Sequence, residues 1–203
     1  MDKLFLQSVF AGILIGLSGF AYLSNPVIGT FLFAFGLAAV VLYKLPLYTG
    51  TVGFIDLRSV NEYIKLWIIL LGNILGAMMT STIAMCGSEV IQESATRIIE
   101  NRVSIGFLRC FMLAIGCGVV MSAAVEAAKS GNTFTRWIPL LFGIPLFISC
   151  GMVHSIADLF YFFIADVDVT VSLPYVLCWA FAVLGNALGC NMYRIFLANK
   201  ITE

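Results

Sequence analysis

From Leu4 to Leu23 the chain runs without a single charged residue, about the length a helix needs to cross the hydrocarbon core of a bilayer. Similar apolar runs recur to the end of the sequence. Hydrophobic residues make up 61% of the 203 and charged residues only 11%, with mean hydropathy +1.03. Soluble domains carry about 25% charge. A water-soluble globule and a disordered chain are therefore excluded. Eleven Lys+Arg balance eleven Asp+Glu, which leaves no basic surplus for a nucleic-acid binder. The expected class is an all-α integral membrane protein, a single transmembrane domain over 1–203.

Met1-Asp2-Lys3 leads straight into the first run. That run exceeds a signal-peptide core and no small-x-small cleavage site follows it, so it reads as the first span, about 5–23. It ends at Ser24-Asn25-Pro26, a turn signal. The second run, about 27–57, is interrupted by Lys44-Leu45-Pro46-Leu47-Tyr48-Thr49-Gly50. Proline removes a backbone donor, and non-helical backbone at membrane depth survives only where protein buries it or water lines it. This predicts a broken second helix beside a cavity. The third span is about 63–86. The polar stretch from Gly87 to Arg102 reads as a short surface helix. The fourth span, about 104–128, is rich in small residues suited to close helix packing. The fifth run, about 136–164, carries Pro139, Pro145, Gly151, His154 and Asp158 and predicts a second broken helix. The sixth span is about 173–197.

Placing the N-terminus inside collects Lys3, Arg58, Lys65, Lys129, Arg136, Arg194 and Lys200 on the cytoplasmic side, against Arg97, Arg102 and Arg109 outside. The bias of short loops then predicts both termini cytoplasmic, in a multi-pass protein of the cell (inner or plasma) membrane. The six cysteines lie almost entirely in apolar runs without a C-x-x-C pair and read as packing residues.

Leu71-Gly72-Asn73-Ile74-Leu75-Gly76 recurs as Leu184-Gly185-Asn186-Ala187-Leu188-Gly189. Each copy sits in the third span of its half and follows a broken span. Leu47-Tyr48-Thr49 in the first half is matched to Leu159-Phe160-Tyr161 in the second. Three spans per half is an odd number, so the halves, about 5–86 and 104–197, insert in opposite senses. Such inverted repeats bring broken helices together near the midplane.

These residues resemble the formate/nitrite transporter family. Gly151-Met152-Val153-His154-Ser155-Ile156-Ala157-Asp158-Leu159-Phe160 is similar to the Gly-Phe-Glu-His-Ser-Val/Ile-Ala-Asn-Met run of that family's broken fifth helix. Leu47-Tyr48-Thr49-Gly50 resembles its Leu-Phe-Thr-Ser loop, and the two repeated stretches resemble its Gly-Asn-x-x-Gly segments. The resemblance covers roughly 8–197. It implies an aquaporin-like protomer in a homopentamer, each protomer with its own path for a small monovalent anion or its acid. It puts the pore threonine at Thr49 and the pore histidine at His154. It puts apolar constrictions at Leu47 and Tyr48 and near Phe33, Leu37 and Phe147. The sequence departs from the family at several points: Arg102 loosely matches an outer-vestibule lysine, Gly118 a pore-side asparagine, and Asp158 the asparagine after the histidine motif.

His154, the only histidine, reads as a pathway residue because ionisable groups inside membranes usually line pathways; the plainer reading is a satisfied core imidazole. Thr49 offers a hydroxyl to His154 or an anion, or else ties up backbone freed at Pro46. Asp158 is read as pairing with a lysine or arginine, capping a half-helix or setting the histidine tautomer; a capping or paired role away from the constriction is expected, with Lys44 as one candidate partner. Asn73, Asn186 and Asp158 are taken as supporting residues. Arg102 and Arg109 form a cationic vestibule, or simply anchor a helix end. Cys150 and His154 are two ligands without a third, so no metal is expected. No cofactor or nucleotide fingerprint is present, and the protein is not read as an enzyme. The expected partners are a small monovalent anion, protons, lipid and further copies of the chain. A neutral-solute channel of the same fold and a non-transport membrane subunit are the alternatives. In the leading reading His154 is neutral at rest, takes up a proton as the charge of a weak-acid anion draws near, passes it to the anion and regains its resting state from water.

Overall fold

The computed structural model describes residues 2–55, 58–130 and 135–197. Helix α1 spans Asp2–Ser24, α2 Pro26–Leu42, α3 Tyr48–Thr51 and α4 Val60–Ala84. Then follow α5 Glu89–Ser130, a 3-10 turn Thr135–Trp137, α6 Ile138–Ser149, α7 Ser155–Ile164 and α8 Val169–Leu197. Helices α1, α4, α5 and α8 are each long and apolar enough to cross a membrane. The other two crossings are composite: α2 followed by α3, and α6 followed by α7. Among the described residues six crossings result, with the second and fifth broken as the prolines and glycines predict.

The two halves repeat one packing scheme. In the first, α1 lies against α4 so closely that a Cβ on Gly12 would stand 2.3 Å from Asn73 O, and one on Gly76 2.1 Å from Val9 O. In the second, α5 lies against α8, where a Cβ on Gly118 would meet Asn186 O at 2.4 Å and one on Gly189 Ile115 O at 2.1 Å. Real Cβ atoms do not approach backbone so closely, so glycine fixes the helix separation at equivalent places in both halves. In lipid, where van der Waals contact replaces the hydrophobic effect between helices, small residues of this kind drive association. Gly118 thus faces α8, and a side chain there would run into that helix's backbone. This accounts for the missing pore-side asparagine.

One expectation changes in part. The polar stretch after the third span is a helix of its own, the first arm of α5, set off from the fourth span by non-helical Gly106; it is not merely superficial, since Ala95 and Ile99 are fully buried. Its charges alternate with Ile91, Ala95 and Ile99 at fourfold spacing, one face of a helix. The fourth crossing starts after Gly106, whose φ of 80° and ψ of 162° bend α5. Nothing lies within 4 Å of a Cβ built there, so the backbone conformation and not space calls for glycine. Outward, the bundle presents Phe31, Phe35, Trp67, Leu71 and Leu184, an apolar surface suited to lipid or to neighbouring protomers. Lys200 and the side chain of Arg194 lie outside the described residues.

Candidate functional site

Both breaks are built alike. At the end of α2, Lys44 N–H donates to Val41 O at 3.2 Å and Leu45 N–H to Val40 O at 2.9 Å. At the end of α6, Gly151 N–H donates to Ile148 O at 2.9 Å and Met152 N–H to Phe147 O at 3.0 Å. Each is a Schellman closure, which requires a left-handed residue one position past the cap. Gly151 has φ 65° and Lys44 has φ 53°. The next helix then starts from an extended residue, Leu47 in the first half and His154 in the second.

The repeated asparagines clamp these breaks. Asn73 Oδ1 accepts from Tyr48 N–H at 2.8 Å, while its Nδ2 donates to Ser8 O at 2.8 Å and Pro46 O at 3.1 Å. Asn186 Oδ1 accepts from Ser155 N–H at 2.9 Å, and its Nδ2 donates to Ala114 O and Val153 O, both at 2.9 Å. Each amide satisfies backbone that a break leaves without a helical partner, and each ties its break to the first helix of the same half. Leu47-Tyr48 therefore corresponds to His154-Ser155. This corrects the pairing with Leu159-Phe160-Tyr161, which lies one helical turn further on, inside α7. Repeat registers set by the clamp cannot be read from side-chain polarity alone.

The breaks meet at Thr49 and His154, both buried, with Thr49 Oγ1 3.0 Å from His154 Nε2. On the other side of the ring, Nδ1 accepts the Ala157 N–H at 3.2 Å, capping α7. A ring nitrogen that accepts carries no proton. The neutral ring thus holds its proton on Nε2 and donates it to the Thr49 hydroxyl. Phe147 stacks on the imidazole, centroids 6.0 Å apart, and Phe33 packs edge-on against Phe147 at 6.0 Å.

A cavity lies on each side of this junction. One, of about 220 Å³, is bounded by His154, Phe147, Tyr161, Asp158, Arg97 and Arg102 among others. The second, of about 710 Å³, opens on the face where α1 begins; its walls include Leu37, Pro46, Gly50, Thr51, Lys44, Lys129 and Arg136. Of the expected constriction residues, Phe147 lines the first cavity and Leu37 the second. Phe33, Leu47 and Tyr48 are buried and line neither. Tyr48 is held in place by its hydroxyl, which donates to Val183 O at 3.2 Å.

The charges differ from expectation. Asp158 does pair, but with Arg102: Nε lies 2.8 Å from Oδ2 and a terminal nitrogen 3.4 Å from Oδ1. Arg102 also donates to Gly151 O at 3.2 Å and Met152 O at 3.5 Å, fastening the second break. Lys44 lines the other cavity and is not the partner of Asp158. The pair lines the smaller cavity together with the histidine. Arg109 is exposed and does not line that cavity; the second cation there is Arg97. Gly106 bends α5, so Arg102 and Arg109 lie on opposite sides of the bend.

The sequence pattern of the family described as Formate/nitrite transporter matches residues 1–198. The chain is 24% identical over 196 residues to "Formate-nitrite transporter 3" of Toxoplasma gondii, a match covering 79% of this chain and 38% of that protein. It is also 24% identical over 221 residues to an uncharacterised transporter of Saccharomyces cerevisiae, covering 93% of this chain and 35% of that one. The chain therefore spans little more than a third of the length of these curated relatives. Among solved structures, a pentameric formate channel with formate bound superposes with TM-score 0.78 at 18% identity, covering 98% of both chains. An ion channel of the same family superposes with TM-score 0.81 at 17% identity, covering 94% of this chain and 86% of that one.

Proposed function

The chain belongs to the formate/nitrite transporter family, and on that premise we propose that it passes small monovalent anions or their weak acids, of the formate, nitrite and hydrosulfide class, through a path within each protomer of a homopentamer. Membership makes it a multi-pass membrane transporter or channel and not an enzyme. The observation that carries the finer reading is the Thr49–His154 contact, which joins the two breaks with a cavity on either side.

An anion arriving at this junction opens the hydrogen bond between the imidazole Nε2–H and the threonine hydroxyl and accepts from both, with the Arg102–Asp158 pair beside it. Phe147 and Phe33 on one side and Leu37 on the other exclude hydrated cations, which apolar constrictions disfavour. Proton coupling has a definite structural cost. A second proton can enter the ring only at Nδ1, and that displaces the Ala157 N–H and uncaps α7. Transfer to a weak-acid anion is thus linked to a loosening of the first turn of α7. The face carrying Lys44, Lys129 and Arg136 is the cytoplasmic one, in keeping with the excess of cations on inner loops.

The test is uptake of formate, nitrite and hydrosulfide into proteoliposomes at several pH values. Saturable flux well above protein-free vesicles supports the proposal. Flux of neutral solutes alone, or no flux of any of the three ions, refutes it.

A further inference from the structure

Three cations, Lys44, Lys129 and Arg136, converge on the 710 Å³ cavity, and among its described lining residues there is no carboxylate. Glu126, the acid nearest to Lys129 in sequence, does not line it. Aromatic rings support two of the cations: Lys129 Nζ lies 4.2 Å above Phe54, and the Arg136 guanidinium 4.8 Å above Trp137. Such contacts hold a cation without neutralising it. Arg136 Nε is buried and has no hydrogen-bond partner among the described residues, so the guanidinium retains an unused donor of the kind that binds oxyanions. Lys44 holds a left-handed φ of 53° where its counterpart in the other half is Gly151. A side chain at such a position costs about 1 kcal/mol or more relative to glycine, and strain of this kind is typically retained at functional positions.

The volume also exceeds the need. A triatomic anion occupies a small part of the space, whereas cavities of this size take ligands of drug or nucleotide dimensions. The smaller cavity on the opposite side offers nothing comparable, because both its arginines are paired, Arg102 with Asp158 and Arg97 with Glu93.

We infer that the cavity formed by Lys44, Lys129 and Arg136 binds a soluble multivalent oxyanion of the di- or triphosphate class, too large to pass Thr49 and His154, which plugs the path at Pro46 and Thr51. The block rests on the transport reading; the binding does not.

The probe is tripolyphosphate, applied to the full chain in phosphatidylcholine nanodiscs at low ionic strength, with binding read by calorimetry. Wild type binds, the triple variant K44Q/K129Q/R136Q binds roughly tenfold or more weakly, and Arg109→Gln, which removes an exposed charge outside both cavities, binds like wild type. In planar bilayers, tripolyphosphate blocks formate current from one face only, and the triple variant escapes block. No binding to wild type overturns the inference, as does equal binding by the triple variant or equal block from both faces. A thermal shift caused by phosphatidylglycerol but not by tripolyphosphate overturns it in favour of a lipid headgroup. Absence of formate current alongside intact tripolyphosphate binding sinks the transport reading alone.

Discussion

Arg102 and Asp158 form a buried ion pair, their side chains 13% and 4% exposed, that closes 2.8 Å apart in the cavity His154 lines. Removing either charge leaves the other uncompensated, which costs about 3–5 kcal/mol in buried settings. Arg102→Met and Asp158→Leu should each lower the thermal midpoint of the detergent-solubilised protein clearly. The double variant should recover much of the loss, since it strands no charge. Additive losses in the double variant would mean that the two side chains act independently.

At His154 the sharpest substitution is asparagine. Asparagine is among the best helix N-caps, so it can still accept the Ala157 N–H, but it does not titrate. His154→Asn should leave assembly and melting near wild type while flattening the pH dependence of formate flux. His154→Ala should lose the cap as well, at about 1 kcal/mol. A wild-type pH profile in His154→Asn would eliminate the histidine as the titrating group.

Lys44→Gly is expected to stabilise and disable at once. Glycine adopts φ 53° without penalty, so relief of strain, less the added freedom of the unfolded chain, should raise stability by about 1 kcal/mol or less. The same change should weaken tripolyphosphate binding. A drop in melting temperature would show that the Lys44 side chain contributes more by contact than its backbone loses by strain.

Asn73→Ala and Asn186→Ala should be equally damaging, because the two amides make matching sets of three hydrogen bonds. Each orphaned backbone group costs about 1–3 kcal/mol, so both variants should yield little folded protein and no flux, checked by size-exclusion chromatography and uptake. Tolerance of one substitution but not the other would break the equivalence of the halves.

Much of this architecture is legible in the sequence because lipid leaves few options. Apolar length sets the crossings, Pro46 and Gly151 mark the breaks, and the Leu-Gly-Asn repeat marks the clamps. Thr49 and His154 were reachable because each lies at a break. Pairing across the chain was not legible. Nothing near Asp158 identifies Arg102 as its partner, since their meeting depends on the bend at Gly106. The stretch before that bend did carry a usable signal, Ile91, Ala95 and Ile99 on one helical face, hidden by the surrounding charges. Lys44 gave no hint of its left-handed backbone, which a Schellman closure imposes and a lysine does not advertise.

Each clamp asparagine is made after the break it serves, 25 residues later for Tyr48 and 31 for Ser155. During synthesis, the segment around Pro46 therefore leaves the ribosome with polar backbone that hydrocarbon cannot satisfy. It has no stable home in the bilayer until α4 follows it. Stable insertion of the second crossing should therefore wait for the third helix of its half. A nascent chain halted before Asn73 would hold its second crossing loosely at the insertion machinery, waiting for one amide.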